Sequence, residues 1–280
     1  MLEKICLVTG ANSGVGKMAA IGLASKGARL VLLCRNPKKA EIARKEIQQV
    51  TDNRNIEILE CDLSSQVAIR QAAEKFKAAH TKLDVLLNNA GIYTDVYQES
   101  EEGIEMTMAV NHFGHFLLSN LLLPCLKAAE NARVVNLSSE ANRFAKFNPN
   151  QIVPNSSSFQ GMRTYGLSKL ANIMFTHELS KRWGPYGITA NSCHPGFVDS
   201  NFFLNFNGPL KWLSILAKPF MVNETQGAET PLYLSTAKAV SNISGKYFVR
   251  RTVKKPHPDA YNNRLTGLLW QYSEKKTGLV

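Results

Sequence analysis

The sequence predicts an α/β fold in which helices cover both faces of a parallel sheet. Short β-rich apolar runs alternate along the chain with longer segments of helical period. The first run leads through a glycine-rich turn into a helical segment, an order found where such sheets bind nucleotides. We find no internal repeat, linker or low-complexity tract in the 280 residues. We therefore expect one doubly wound domain, residues 1–280, around a seven-stranded parallel sheet flanked by helices.

Seven β-rich apolar runs are the predicted strands, each short enough to cross a sheet once. In chain order they are Lys4–Val8, Ala28–Cys34, Asn55–Glu60, Leu83–Asn88, Arg133–Ser138, Ile188–His194 and Gly245–Val249. Between them, helical period predicts helices at Val15–Ser25, Pro37–Val50, Gln66–Ala79, Glu105–Leu126, Thr164–Trp183 and Thr225–Ser235. Asn36 favours a helix start at Pro37, because asparagine caps helices and proline has no amide hydrogen to leave unpaired.

Two longer segments interrupt this alternation. Residues 141–162 are polar and irregular, whereas residues 197–231 are long and apolar. Both follow predicted strands at their carboxyl ends, where sheets of this kind bind ligands. We interpret 197–231 as a substrate-binding lid. Its amphipathic stretch PLKWLSILAKPF leaves open that it caps the core, or docks on a membrane surface or a partner chain.

Composition is that of an ordinary globular protein, with 44% hydrophobic and 20% charged residues. The formal net charge of +11 favours phosphorylated ligands, nucleic acid or an anionic membrane face. Solvated surface lysines explain the charge better, and we expect no nucleic-acid partner, because no long basic run carries interleaved aromatics. The densest basic run, Arg250, Arg251, Lys254 and Lys255, follows the last predicted strand and is interpreted as a loop.

Cysteine and histidine spacing predict neither disulfides nor a metal site. The five cysteines contain no CxxC pair and mostly lie in apolar runs, as expected of buried thiols in a reducing compartment. His112 and His115 form a close pair without an acidic or cysteine partner. The first strand leaves no room for a signal peptide, and no apolar run reaches the ~20 residues of a spanning helix. We expect a cytoplasmic protein, with peripheral membrane contact and homo-oligomerisation left open.

The turn after the first strand, TGANSGVGK at Thr9–Lys17, predicts a phosphate-binding loop. Glycines there let backbone amides and the amino terminus of the next helix approach a pyrophosphate. A Walker loop is excluded, because five residues separate Gly10 from Gly16 and Met18 offers no hydroxyl for magnesium. The glycine spacing also departs from the GxGxxG fingerprint.

Four motifs together resemble the short-chain dehydrogenase/reductase family. They are TGxxxGxG after the first strand, NNAG at Asn88–Gly91, YxxxK at Tyr165–Lys169 and the Pro195-Gly196 pair, in the family's order. The CRN, YGLSKLANIMF and SGKYF stretches are most similar to the retinol dehydrogenase group. The resemblance implies a Rossmann-type domain that interconverts a carbonyl and an alcohol by hydride transfer with a nicotinamide cofactor.

We assign the catalytic residues from chemical reasoning together with this resemblance. Free tyrosine titrates near 10, but Lys169 lies four residues after Tyr165 on one helix face, where its ammonium favours the phenolate and lowers the tyrosine pKa. The resemblance assigns Ser139 to polarising the substrate carbonyl and Asn111 to holding a water in a proton relay to Lys169. Strand alternation lets only one of Ser138 and Ser139 face the site, and the family motif selects Ser139.

The resemblance also implies a set of cofactor contacts. Asp62 would meet the adenine amino group and Leu63 the adenine ring, and Tyr165 and Lys169 would also contact the cofactor. The remaining residues are Gly10, Ser13, Gly14, Val15 and Gly16 in the glycine loop, Asn88, Ala90 and Gly91 at the adenosine ribose, and Pro195, Gly196, Val198 and Ser200 at the nicotinamide carboxamide.

Arg35 predicts which dinucleotide is used. Cys34 stands near the position where an acid would read the ribose 2′-hydroxyl, and it carries no charge to repel a 2′-phosphate. Arg35 can make a forked, charge-assisted contact to that phosphate, with Ser13 and Asn36 adding hydrogen bonds. We therefore expect NADP(H) as the cofactor.

Two functions follow from these observations. The first is an NADP(H)-dependent oxidoreductase whose apolar lid suits a small lipophilic substrate such as a retinoid or aldehyde. The alternative is a non-catalytic dinucleotide-sensing or scaffold protein of the same fold. A complete set of Asn111, Ser139, Tyr165 and Lys169 favours the enzyme, because a pure binder has no need of a phenol beside an ammonium.

Overall fold

The computed structural model describes residues 1–197 and 222–280, and eight strands of this part form one sheet. The strands are β1 (Ile5–Thr9), β2 (Arg29–Cys34), β3 (Ile56–Glu60), β4 (Val85–Asn88), β5 (Arg133–Leu137), β6 (Thr189–His194), β7 (Tyr247–Val249) and β8 (Thr252–Lys254). Their order across the sheet is β3-β2-β1-β4-β5-β6-β7-β8. The order reverses between β1 and β4, which is where doubly wound sheets open a crevice for ligands.

The seven predicted strands are present and mutually parallel, but the predicted count of seven is short by one. β8 pairs antiparallel with β7. Arg250 and Arg251, in the basic run interpreted as a loop, both have positive φ, 50° and 61°, and turn the chain back. β8 is exposed along its length and contains Thr252 and Lys254, so its sequence has no apolar pattern that predicts a strand. A short charged edge strand of this kind discourages pairing with other chains.

Nine α-helices of the described residues flank the sheet. They are α1 (Gly14–Ala24), α2 (Pro37–Thr51), α3 (Gln66–Ala79), α4 (Met106–Met108), α5 (His115–Leu121), α6 (Leu123–Lys127), α7 (Gly161–Trp183), α8 (Glu224–Thr236) and α9 (Asn263–Lys276). The predicted start of α2 is confirmed, since Asn36 Oδ1 accepts a hydrogen bond of 3.0 Å from the Lys39 amide. α9 was not predicted, because it lies beyond the last predicted strand, outside the strand–helix alternation on which the helices were assigned.

The predicted helix Glu105–Leu126 is interrupted rather than continuous. A π-helical segment, Ala109–Gly114, separates α4 from α5, and Pro124 enters α6 at its first turn. Glu105 caps α4 by accepting hydrogen bonds from the Thr107 and Met108 amides. A pattern of apolar residues cannot reveal the π-helical segment, because every residue in it is buried. This interruption lies at Asn111, one of the predicted catalytic residues.

Apolar side chains alternate between the two faces of the sheet. Leu7 packs into a core with Phe76, Phe116 and Phe175, and its neighbour Val8 packs into a second core on the other face. All five cysteines are free and buried, as predicted. A sheet buried on both faces requires the near-continuous apolar strands that the sequence contains.

The structure describes the predicted lid only in part. Of the predicted lid, residues 198–221 lie outside the described residues, and its last part contributes to α8. Across residues 1–197 and 222–280, no helix combines the length and apolar character needed to cross a membrane.

Candidate active site

Four segments that carry the motifs of the sequence come together at the carboxyl edge of the sheet. The glycine loop follows β1, the NNAG segment follows β4, Ser139 comes two residues after the end of β5, and Pro195-Gly196 follows β6. β1, β4, β5 and β6 are consecutive neighbours in the sheet, so their ends lie side by side. The fold therefore gathers residues that are far apart in sequence at one crevice.

The glycine loop has the backbone shape that its glycines allow. Gly10 and Gly14 have positive φ, 64° and 58°. A Cβ at Gly16 would lie 2.4 Å from the Gly10 carbonyl oxygen, so this position admits no larger residue without a shift. Ser13 makes no side-chain cap to α1, and the first turn of α1 carries no acid. Uncapped amides at a helix terminus beside a glycine turn fit the pyrophosphate of a dinucleotide.

Two residues that the sequence analysis did not single out hold this loop in place. Thr9 Oγ1 accepts hydrogen bonds of 2.9 Å from the amides of Asn89 and Ala90. In return, Asn89 Nδ2 donates to the Thr9 carbonyl at 2.8 Å. Both residues belong to motifs that the sequence analysis noted, TGANSGVGK and NNAG. Membership in these motifs is the sequence feature that could have identified them.

Asn88 is buried inside the sheet, unlike Ala90 and Gly91 of the same segment. Its side chain is 1% exposed, and Nδ2 donates to Asn136 Oδ1 at 2.8 Å and to Ser119 Oγ at 3.0 Å. The Asn88 side chain thus ties β4 to β5 and α5 inside the sheet, whereas Ala90 and Gly91 lie at the edge. The predicted contact with a ribose suits Ala90 and Gly91 better than the Asn88 side chain.

Tyr165 and Lys169 lie one turn apart on α7, as the YxxxK spacing predicts. Lys169 Nζ is 5.4 Å from the centroid of the Tyr165 ring and donates to the Leu137 carbonyl at 3.4 Å. The Lys169 side chain is 4% exposed. An amine that is almost removed from water beside a phenol is an arrangement suited to moving a proton.

The protonation states differ from the sequence expectation. Burial raises the pKa of Tyr165 above its ordinary value, and a hydrogen bond with Ser139 only partly opposes this. Burial also lowers the pKa of Lys169 to about 8. The expectation that Lys169 lowers the Tyr165 pKa counted the charge but not the loss of hydration, which is the largest cause of the shift of Tyr165. Tyr165 is a phenol at neutral pH with or without this shift, and the raised pKa makes the phenolate harder to form.

Ser139 rather than Ser138 faces Tyr165. The Ser138 hydroxyl donates to the Lys169 carbonyl at 2.7 Å and is 2% exposed, so it secures α7 to β5. The Ser139 hydroxyl shares a hydrogen bond with Tyr165 and accepts one of 3.2 Å from the Ala141 amide. Two adjacent hydroxyls thus have separate roles, one structural and one directed at the site.

Asn111 lies in the π-helical segment and fastens the end of the NNAG segment to α7. Its Nδ2 donates to the Ile92 carbonyl and to Ser168 Oγ, both at 3.0 Å, and Oδ1 accepts from the Ile92 amide at 2.8 Å. A Cβ at Gly91 would lie 3.1 Å from Lys169 Nζ and 3.4 Å from Asn111 Oδ1. Asn111 and Lys169 therefore meet around Gly91, where the predicted relay would pass.

A sequence model of the short chain dehydrogenase family matches residues 4–209. Retinol dehydrogenase 12 of Bos taurus is 40% identical over 286 residues, which cover 100% of this chain and 88% of that protein. The chain belongs to the short-chain dehydrogenase/reductase family. It is an oxidoreductase of the class that acts on CH–OH and C=O groups, and the fold of this family is one for a nicotinamide dinucleotide.

Solved structures of similar fold agree with this membership. A structure from Mycobacterium paratuberculosis superposes with a TM-score of 0.80 and 28% identity, over 99% of this chain and 94% of that one. The Pseudomonas aeruginosa RhlG/NADP active-site complex superposes with a TM-score of 0.72 and 25% identity, over 89% and 94% of the two chains.

The dehydrogenase's predicted adenine-side residues lie at the ends of β2 and β3. Arg35 has a side chain 74% exposed, and its Nη1 lies 3.9 Å from Asp62 Oδ2. Asp62 Oδ1 accepts hydrogen bonds from the amide and hydroxyl of Ser64. Cys34 is buried, so it presents no group at the surface where a ribose would lie. Leu63 is 6% exposed, and Asn36 is engaged in capping α2.

The predicted nicotinamide-side residues are described only in part. Pro195 and Gly196 follow β6, and Gly196 has φ 102°, with Val222 Cγ2 2.9 Å from where a Cβ would be. Val198 and Ser200 lie outside the described residues. No cluster of metal-binding side chains occurs in residues 1–197 and 222–280.

Proposed function

We propose that this protein is an NADP(H)-dependent oxidoreductase that interconverts a lipophilic carbonyl compound, such as a retinoid or an aldehyde, and its alcohol. The observation that carries the proposal is the meeting of Ser139, Tyr165 and Lys169 at the edge of the sheet that also holds the glycine loop. A hydroxyl pair that can bind one oxygen, with a nearly buried amine behind it, is suited to protonating an alkoxide as it forms.

The chain's own residues account for the proton and for the orientation of the carbonyl. When bound, the nicotinamide supplies the hydride that adds to the carbonyl carbon, or accepts it in the reverse direction. Ser139 donates a hydrogen bond to the carbonyl oxygen, and Tyr165 transfers its phenolic proton to that oxygen. Lys169 stabilises the phenolate that remains until a proton from solvent restores the phenol. In alcohol oxidation the same groups act in reverse.

The choice of NADP(H) is supported by charge at the end of β2. Arg35 offers an exposed guanidinium, and Cys34 offers no carboxylate that would repel a phosphate. The RhlG structure, 25% identical, was solved as a complex with NADP. Asp62 is near enough to Arg35 to help orient the guanidinium without pairing closely with it.

The lipophilic substrate class is supported by the predicted lid, 197–231, and by the name of the relative that is 40% identical, a retinol dehydrogenase. The lid is rich in phenylalanine and would bury an apolar substrate well. Peripheral contact of this segment with a membrane stays a prediction.

The alternative, a dinucleotide-binding scaffold without chemistry, is less well supported. Lys169 is 4% exposed and its pKa is lowered to about 8 by burial. Removing an ammonium from water destabilises a protein, and a scaffold has no use for that arrangement.

Steady-state rates with NADPH and with NADH, each against retinal, a short aldehyde and a sterol ketone, test the proposal. We expect the highest kcat/KM with NADPH and an apolar substrate. Turnover confined to small polar carbonyls would contradict the substrate class, and equal rates with both cofactors would contradict the cofactor. Tight NADPH binding with no turnover of any carbonyl compound would favour the scaffold.

A further inference from the structure

His115, the first residue of α5, is a buried histidine that none of the steps above uses. Its side chain is 1% exposed. Nδ1 lies 3.0 Å from the Asn111 carbonyl oxygen, and Nε2 lies 2.9 Å from Thr9 Oγ1. Thr9 and Asn111 belong to the two segments that hold the glycine loop and the predicted proton relay. The imidazole therefore bridges two parts of the active site.

The partners of His115 determine where its proton is. A carbonyl can only accept, so Nδ1 carries the hydrogen and donates it to Asn111. Nε2 is then an acceptor, and the Thr9 hydroxyl donates to it. The oxygen of Thr9 already accepts from the Asn89 and Ala90 amides, so all of its hydrogen-bonding capacity is used. A second proton on His115 would have no acceptor, which agrees with a pKa lowered by burial to about 4.

The backbone around His115 departs from a regular helix at the point where the imidazole donates its hydrogen bond. In a regular α-helix the amide of residue 115 would donate to the carbonyl of residue 111. In this π-helical turn the His115 amide donates instead to the His112 carbonyl. The imidazole Nδ1 gives the Asn111 carbonyl a side-chain donor at 3.0 Å. The His115 side chain thus holds a carbonyl of the turn at which the helix is interrupted.

Hydrogen bonds continue from both ends of this bridge. On one side, Thr9 is followed directly by Gly10 of the glycine loop. On the other, the Asn111 side chain donates to Ser168 Oγ, and the Ser168 hydroxyl donates to the Tyr165 carbonyl at 2.7 Å. The chain of contacts runs from the phosphate-binding loop to the helix that carries Tyr165.

We propose that His115 is a positioning residue for the reaction, holding the Asn111 turn and the glycine loop in a fixed relation to each other. This inference rests on the proposed oxidoreductase function. Its consequence is that removal of the two imidazole hydrogen bonds lowers kcat more than it raises KM, because the groups that move the proton lose their alignment with the bound nicotinamide.

His112 provides a matched control within the same turn. It is also 1% exposed and buried among aromatic rings, but its Nε2 faces Ser273 Oγ of α9 at 2.9 Å and none of the site residues. A loss of packing or polar contact in this region affects both histidines alike, whereas a loss of alignment affects only His115.

The test compares His115→Phe, His115→Leu and His115→Gln with His112→Phe, using NADPH and an aldehyde that the unaltered protein reduces. kcat, KM, the NADPH dissociation constant and Tm are measured for each. We expect His115→Phe and His115→Leu to lower kcat by roughly 10- to 100-fold with a smaller change in KM. Glutamine carries an NH₂ donor group and a carbonyl acceptor on a side chain of similar length, so His115→Gln should recover part of the loss. His112→Phe should lower Tm but leave kcat within about threefold.

The outcomes separate the two proposals. Equal effects of His115→Phe and His112→Phe on kcat, or no recovery by His115→Gln over His115→Leu, would overturn the positioning role while leaving the oxidoreductase function in place. If the phenylalanine variant does not fold, the leucine and glutamine variants give the same comparison. An unaltered protein that reduces no carbonyl compound would overturn the proposed function, and the positioning role with it.

Discussion

Protonation of single residues decides which steps the active site can perform. Burial raises the pKa of Tyr165, so its phenolate is harder to form than that of a free tyrosine, and burial lowers the pKa of Lys169 to about 8, so its charge is lost more easily. Ser139 contributes the hydroxyl that Tyr165 shares. In carbonyl reduction a phenol is the useful form, since the alkoxide needs a proton. The phenol is the form present at neutral pH, and an ammonium at Lys169 stabilises the phenolate that proton donation leaves behind.

Replacing Tyr165 with Phe should remove turnover and leave cofactor binding intact. The change deletes only the hydroxyl, and loss of a general acid costs on the order of 100- to 10,000-fold in rate. Steady-state kinetics and NADPH fluorescence titration measure the two effects. Tyr272→Phe is the control, because Tyr272 is another phenol whose pKa burial raises, on α9 and outside the site. Turnover retained in Tyr165→Phe would refute the assignment.

Replacing Arg35 with Asp should reverse the cofactor preference. A carboxylate at the end of β2 would repel a 2′-phosphate and could accept from a ribose hydroxyl. We expect the ratio of kcat/KM for NADPH to that for NADH to fall by at least about tenfold. Lys45→Asp, an exposed lysine within α2, controls for the change in net charge. An unaltered ratio would mean that Arg35 is only a solvated charge.

Helices, strands and turns position these residues. Two of these elements depart from regular geometry at the active site. The turn between β1 and α1 relies on glycines, and the π-helical segment Ala109–Gly114 interrupts the helix at Asn111. π-helical turns recur at functional sites because they expose backbone groups that a regular helix would pair. The first irregularity shapes the glycine loop, and the second lies where the Asn111 side chain contacts Ile92 and Ser168.

A pair of glycine substitutions tests the glycine loop as an element. A Cβ at Gly16 would lie 2.4 Å from both Asn89 Nδ2 and the Gly10 oxygen, whereas none of the described atoms lies within 4 Å of a Cβ at Gly267. Gly16→Ala should destabilise the fold by about 1–3 kcal/mol and weaken NADPH binding. Gly267→Ala, also within a helix, should stabilise it by about 0.5–1 kcal/mol. Urea unfolding and NADPH titration report the two effects, and equal behaviour of both variants would contradict the steric argument.

For the whole molecule, burial on both faces of the sheet brings ionisable groups into the interior. Burial lowers the pKa of His112 to about 3 and the pKa values of His115 and His194 to about 4, from an ordinary 6.5. The unfolded chain therefore binds more protons than the folded chain below pH 6.5. The pH dependence of stability is a property of the entire packed structure.

The free energy of unfolding should decrease as the pH falls from 6.5 toward about 4. Each neutral buried histidine contributes up to ~1.4 kcal/mol of loss per pH unit in that window, because its folded pKa lies below its unfolded pKa. Urea denaturation at pH values between neutral and about 5 measures the slope before most carboxylates titrate. His112→Leu should reduce the slope, and a constant free energy across this range would contradict the argument.

Much of the fold was predictable because its causes are local. Apolar runs, helical period and the Asn36-Pro37 pair each report on neighbouring residues, and the seven parallel strands follow from them. β8 was not predicted because it is short, polar and exposed. The interruption of the helix at Asn111 was not predicted because every residue of that segment is buried. In the site, residue types and spacing located Tyr165 and Lys169 together, whereas their protonation depended on distant packing.

By itself the sequence determined the order of elements, the position of the glycine loop and the motif residues that the sheet would bring to one edge. Only the tertiary structure decided which of Ser138 and Ser139 faces Tyr165, and that burial raises the Tyr165 pKa. It alone joined His115 to Thr9, 106 positions away along the chain. The reason is physical: hydration loss and hydrogen-bond partners depend on every segment that packs around a group, and no local pattern records them.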